Sequence, residues 1–130
     1  MTENKHKNGD HFSSTLGLEI VELTDNNCEV ILPVQDYFYN PINSIHGGVL
    51  FTVADVVAGT LSGHLYGKST TLSSNFNFMA PGMSVKYLIG KSKLIKKGKT
   101  IAVIEALIYD DREKLLASGT FTFYNLNISK

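Results

Sequence analysis

A single cysteine, Cys28, leaves this chain of 130 residues unable to close an internal disulfide, and it removes most zinc-ligand spacings as well. Net charge is also absent, because 12 lysines and arginines balance 12 carboxylates. That balance argues against a broad nucleic-acid surface, although Lys91, Lys93, Lys96, Lys97 and Lys99 form a local group. No apolar run follows Met1-Thr2-Glu3-Asn4-Lys5-His6-Lys7, so no secretory leader is visible. The apolar stretch around Asp55 is expected to be too short, and too interrupted by the acid, to span a membrane. Repeats, low-complexity tracts and linkers are missing too. What remains is one globular domain over residues 1–130, at 43% hydrophobic and 18% charged, expected in the cytoplasm.

The polar residues Met1 to Asp10 are expected to fray. His11 to Leu16 reads as a short helix or turn ended by Gly17. Two strands follow, Leu18 to Leu23 and Cys28 to Val34, joined as a hairpin by Thr24-Asp25-Asn26-Asn27. Gln35 to Ile45 is a loop carrying Tyr37, Phe38 and Tyr39. A helix from about Gly47 to Tyr66 is apolar nearly all round, which predicts burial on every side. Four strands complete the chain: Lys68 to Ala80, Ser84 to Ile95, Thr100 to Tyr109 and Leu115 to Tyr124. Short turns between them predict antiparallel pairing and an α+β fold with the helix laid on one sheet. Such a sheet leaves open edges and an outer face, so an obligate oligomer is expected.

From Ile45 to Tyr66 the only formally charged side chain is Asp55. A carboxylate in apolar surroundings costs several kcal/mol unless it has a partner, a water or a chemical task. Gly47 and Gly48 open the same helix, and a helix start without side chains can bring its amides against a carbonyl or an anion. Gly48 and Asp55 share nearly one helix face, about 10 Å apart along the axis. A ligand carbonyl fits that reading, with its oxygen at the amides of Gly47 and Gly48. One such donor is worth roughly 3–4 kcal/mol of barrier.

This element order, and the string Asn40-Pro41-Ile42-Asn43-Ser44-Ile45-His46-Gly47-Gly48 with Asp55 following, resembles the hot-dog-fold acyl-CoA thioesterases. Within them it is most similar to the branch that includes the phenylacetyl-CoA thioesterases. The likeness runs from about Leu16 to Tyr124. Its specific part is an asparagine, five residues, His-Gly-Gly, and an acid nine residues after the histidine, with Phe78-Met79-Ala80-Pro81-Gly82 later. The resemblance implies a curved antiparallel sheet of five to six strands around one long helix. It implies hydrolysis of an acyl-CoA to a carboxylate and free thiol, with Asp55 as general base or as nucleophile. It places Asn40 close to the acid and lets His46 set the loop and the thioester. A hydroxyl on the strand after the helix holds the water from across a dimer interface, and here that is Thr71, with Ser73 or Ser74 as alternatives. A homodimer assembling to a homotetramer is implied, with sites between subunits. No metal or redox cofactor is indicated; coenzyme A enters as part of the substrate.

Each of these residues also has a purely structural reading. Asp55 can pair with a buried donor, His46 can cap the helix, and the glycines can permit a tight turn. Asn40 can be a turn residue and Thr71 an ordinary strand residue, and the lysine group near the 96–99 turn is either an attractor of the coenzyme A phosphates or a solvated hairpin tip. Cys28 reads as a small buried hydrophobe. Two other functions share this fold class. A dehydratase or hydratase would show a longer His-Phe-Pro type of loop, which Asn40 to Gly48 does not match. A non-catalytic acyl-CoA-binding sensor would carry a DNA-binding module, and fewer than twenty residues precede the first strand. The acyl group is left open, as is the choice between coenzyme A and an acyl-carrier protein. Phe51, Leu61, Phe76, Phe78 and the aromatics at 37–39 are the candidates to shape its pocket.

Overall fold

The computed structural model describes residues 11–128, so the expected fraying of Met1 to Asp10 lies outside the described residues. A one-turn helix α1 (Phe12–Thr15) leads through Gly17, at φ 90°, into the hairpin of β1 (Glu19–Leu23) and β2 (Asn27–Pro33). A 3-10 turn at Asp36–Phe38 precedes the long helix α2 (Gly47–Tyr66). Four strands follow: β3 (Ser69–Phe78), β4 (Tyr87–Lys97), β5 (Ile101–Tyr109) and β6 (Leu115–Asn125). They form one six-stranded sheet in the order β1-β2-β4-β5-β6-β3, with every neighbouring pair antiparallel.

One expected pairing is not made. β3 does not turn back onto β4; it pairs with β6 at the far edge of the sheet. The cause is α2, which crosses the sheet between β2 and β3 and delivers β3 to the opposite side. The chain must then return to the middle, where β4 lies beside β2.

The inner face of the sheet is read from its alternation. β2 points Cys28, Val30 and Leu32 inward, and β5 points Ala102, Ile104, Ala106 and Ile108 inward, all buried. Against them α2 lays Leu50, Val53, Ala54, Val57, Ala58 and Leu61. Small residues under the helix let it approach closely. A Cβ on Gly90 of β4 would fall 2.8 Å from Val53 Cγ1, and the buried Ser92 hydroxyl donates to the Val57 carbonyl at 2.8 Å. Asp110, 1% exposed, closes the β5–β6 turn by accepting the amides of Arg112 and Lys114.

Burial of α2 is one-sided, contrary to the expectation of an all-round buried helix. Phe51, Thr52, Asp55, Val56 and Gly59 are only half-buried within the single chain. By length and composition α2 also does qualify as a membrane span, with a mean hydropathy of 1.4, so the acid does not interrupt it as expected. The face turned to the sheet is occupied by the core. Cys28 is buried as expected, and burial pushes its thiol up to about 11, so it stays protonated at neutral pH.

Gly90→Ala should lower stability by about 1–3 kcal/mol through overpacking against Val53. The midpoint of urea denaturation measures this; an unchanged midpoint would contradict the packing described.

Candidate active site

The start of α2 is organised by His46. Its backbone amide donates to the Phe38 carbonyl at 2.8 Å and the Ile45 amide donates to the Gly82 carbonyl at 2.9 Å, which fixes the entry of the chain. With φ −59° and ψ 135°, His46 is the N-cap, and its Nδ1 accepts the Gly48 amide at 2.8 Å. The imidazole is therefore the tautomer protonated on Nε2. The amides of Val49 and Leu50 both reach the His46 carbonyl, at 2.9 and 3.3 Å. One leading amide is left. Among the described residues, Gly47 N–H has no acceptor.

This corrects half of the expected donor pair. Gly48 cannot offer its amide to a ligand while His46 holds it. Its lack of a side chain serves the cap instead, because a Cβ there would lie 3.1 Å from the His46 Nδ1. Gly47 is the available donor, and it opens onto a depression of about 320 Å3 between Ile45, Leu50, Phe78, Met79 and Pro81. The Phe78 ring covers it closely: a Cβ on Gly47 would sit 3.1 Å from Phe78 Cε1.

Two turns along the helix, Asp55 is half-buried in an open depression of about 510 Å3. Thr71 Oγ1 donates to Asp55 Oδ1 at 2.8 Å, and among the described residues Oδ2 has no partner. The hydroxyl and the acid belong to the same chain, so Thr71 reaches this Asp55 without a partner subunit. A β-bulge explains how β3 reaches the helix here. Leu72 is unmatched between the pairs Thr71↔Phe123 and Ser73↔Thr122, which re-aims Thr71 toward Asp55. Ser73 and Ser74 instead line a polar groove with Glu105, Thr120 and Thr122.

Asn40 is not brought to the acid within the chain. Its Oδ1 accepts the amides of Ile42 and Ser44, both at 3.0 Å, and its Nδ2 donates to Ser44 Oγ at 2.9 Å. It is the residue that closes the Asn40–Ser44 loop ahead of His46. Of the loop aromatics, Phe38 is buried and Tyr39 bonds to the Val85 backbone, while Tyr37 stays 73% exposed. Leu61 is core rather than pocket wall. The lysine group lies at the other end of α2: the Tyr66 hydroxyl donates to the Gly98 carbonyl, and Lys97 Nζ stands 5.0 Å over the Tyr66 ring. It is separated from Gly47 by the length of a 20-residue helix, about 30 Å. Residues passed over in the sequence also border the site. Phe12 and Thr52 line the Asp55 depression, and the i, i+4 spacing of Phe12 and Leu16 before Gly17 was the available signal.

Gly47 and Asp55 open onto different depressions, about 12 Å apart along the helix axis. The chain thus carries an unpaired amide donor at a positive helix end and an oriented carboxylate further along.

A family model for the thioesterase superfamily matches residues 42–117. ComA2 of Bacillus subtilis (strain 168), a protein that carries the name esterase, is 31% identical over 112 residues, covering 82% of this chain and 87% of that protein. The acyl-coenzyme A thioesterase PaaI of Escherichia coli is 23% identical over 108 residues, covering 83% of this chain and 77% of PaaI. Its solved structure superposes with a TM-score of 0.86 at 20% identity, over 95% of this chain and 90% of that one. A hypothetical thioesterase of Streptococcus pneumoniae TIGR4, solved with coenzyme A, is 26% identical with a TM-score of 0.81, covering 93% of this chain and 94% of that one. The chain belongs to the thioesterase superfamily, with the hot-dog fold and as a thioester hydrolase.

His46→Ala should cost about 1 kcal/mol of stability by freeing the Gly48 amide, while His46→Asn, which can still cap, should recover most of it. Thermal unfolding of the two variants tests this; equal losses in both would show that the cap is not what His46 contributes.

Proposed function

We propose that the chain hydrolyses acyl-CoA thioesters at a site assembled from two subunits. The single observation that carries the reading is the pairing of a free Gly47 amide with a Thr71-oriented Asp55. The names of PaaI and of the coenzyme A-bound Streptococcus protein support the choice of an acyl-CoA as substrate.

The chemistry follows from the two ends. The thioester oxygen lies on the Gly47 N–H, where the helix dipole favours the negative charge that develops on attack. Asp55 takes a proton from water as the water oxygen bonds to the carbonyl carbon, or it attacks that carbon itself to give a mixed anhydride that water then opens. In both routes the C–S bond breaks, the thiolate leaves and takes up a proton, and a carboxylate remains. Thr71 holds one carboxylate oxygen and leaves the other for water or carbon. Asn40 and His46 act as positioning residues, one shaping the loop and the other holding Gly48 out of the way.

The spacing calls for a second copy. About 12 Å is too long for one small carbonyl to touch both groups directly. β3 is an edge strand, with Leu72 56% and Phe78 60% exposed in it and Met79, just past its end, 57% exposed. Two copies pairing antiparallel about the middle of β3 bring the Thr71 end of one strand beside the Phe78 end of the other. The partner subunit's Gly47 then meets Asp55, and the reverse holds at the second site. Two such dimers joined through their outer sheet faces make the tetramer, and the compartment of action is the cytoplasm.

Gly47→Pro is the sharpest test. Proline at the first helical position is well tolerated and the extended His46 backbone suits it, but its ring also presses on Phe78, 3.1 Å from the new Cβ; Gly47→Ala, which adds the same Cβ and keeps the N–H, is the control and should lose far less. Thiol release from acyl-CoAs should fall about 10²–10³-fold, with Asp55→Ala lower still. Co-refolding the two inactive variants should restore turnover through one intact site in each mixed pair. Absence of restoration would place both groups in one chain, and full activity in either variant would remove the mechanism.

A further inference from the structure

Two depressions lie side by side along the outward face of α2. The one holding Asp55 is bordered by Phe12, Phe51, Thr52 and Val56. The other, about 400 Å3, lies toward the helix start and is walled by Leu16, Tyr37, Phe38 and Val49. Phe12 and Thr52 border both. Thr52 cannot mark the boundary chemically, because its hydroxyl is turned to the Gly48 carbonyl at 2.7 Å. Phe12 is the partition.

Its setting is built for that position. α1 is a single turn closed on itself: the His11 amide donates to Ser14 Oγ, and the Ser14 hydroxyl donates back to the His11 carbonyl, each at 2.9 Å. Leu16 packs against the core and Gly17 reverses the chain into β1, so the turn is anchored at its C-terminal end. Phe12 stands at the other end, 68% exposed, on the catalytic face of α2. A phenyl ring left that open is unfavourable unless something apolar comes to lie against it.

We propose that Phe12 sets the length of acyl group the enzyme accepts. This rests on the thioesterase reading above. A short acyl group attached at the Asp55 carbonyl position stays on the near side of the ring. A longer, unbranched one must pass it to reach the apolar space between Leu16, Tyr37, Phe38 and Val49. The shared wall of the two depressions is what picks out Phe12.

The experiment compares octanoyl-CoA with acetyl-CoA by thiol release. In Phe12→Ala the ratio of kcat/KM for octanoyl over acetyl should rise about tenfold, the effect expected from roughly two further buried methylenes. The change should appear mainly in KM. Phe12→Trp should lower the ratio below that of the wild type. The residue is exposed, so neither change threatens folding, and a far-UV spectrum confirms it. An active wild type with the same ratio in all three proteins overturns the proposal for Phe12 and leaves the hydrolase reading intact. A wild type that releases no thiol from either substrate overturns both.

Discussion

The hydrogen bond from the Gly48 amide to the His46 imidazole governs the rest of the site. A helix start exposes several amides of similar chemistry, and a reacting carbonyl needs one of them in a known place. By holding Gly48, His46 leaves Gly47 as the donor and fixes the tautomer of its own ring. The bond also explains why both glycines are present. Gly48 must lie flat under the imidazole, and Gly47 must pass under the Phe78 ring.

The acid depends on a different device, the bulge in β3. A regular strand would alternate its side chains past the helix and send its hydroxyls to one face or the other. The unmatched Leu72 breaks that alternation, and Thr71 reaches Asp55. The strand that carries this irregularity is also an unprotected edge. Its position follows from the crossing of α2, which separates β3 from β4 in the sheet. One topological fact therefore places both the Thr71 hydroxyl and the exposed sheet edge.

Much of this was legible in the residues. The helix from Gly47 to Tyr66 ran to its stated ends because the glycine pair opens an apolar stretch and Gly67, at φ 82°, closes it. The hairpin turns at Thr24–Asn27 and Asp110–Lys114 were marked by Asn and Asp clusters; in the first the Thr24 hydroxyl accepts the Asn27 amide, and in the second Asp110 Oδ1 accepts those of Arg112 and Lys114. Sheet order was not legible, because a Pro-Gly stop between strands reads as a hairpin whether or not the strands pair. Nor was the division of labour at the helix start. Spacing shows that two glycines follow a histidine, but which amide the imidazole takes depends on its χ angles and on the loop that Asn40 closes. Asn40 itself read as an orienting partner of the acid; within the chain its side chain closes its own loop.

The account turns on one amide. A crystal structure with a ketone analogue of an acyl-CoA, in which a methylene replaces the thioester sulfur, tests it most directly. The ketone oxygen should lie about 3 Å from Gly47 N, with its carbon next to an Asp55 carboxylate and the Gly48 amide still on His46. An analogue bound with its oxygen elsewhere, and Gly47 N–H facing only solvent, would contradict the assignment.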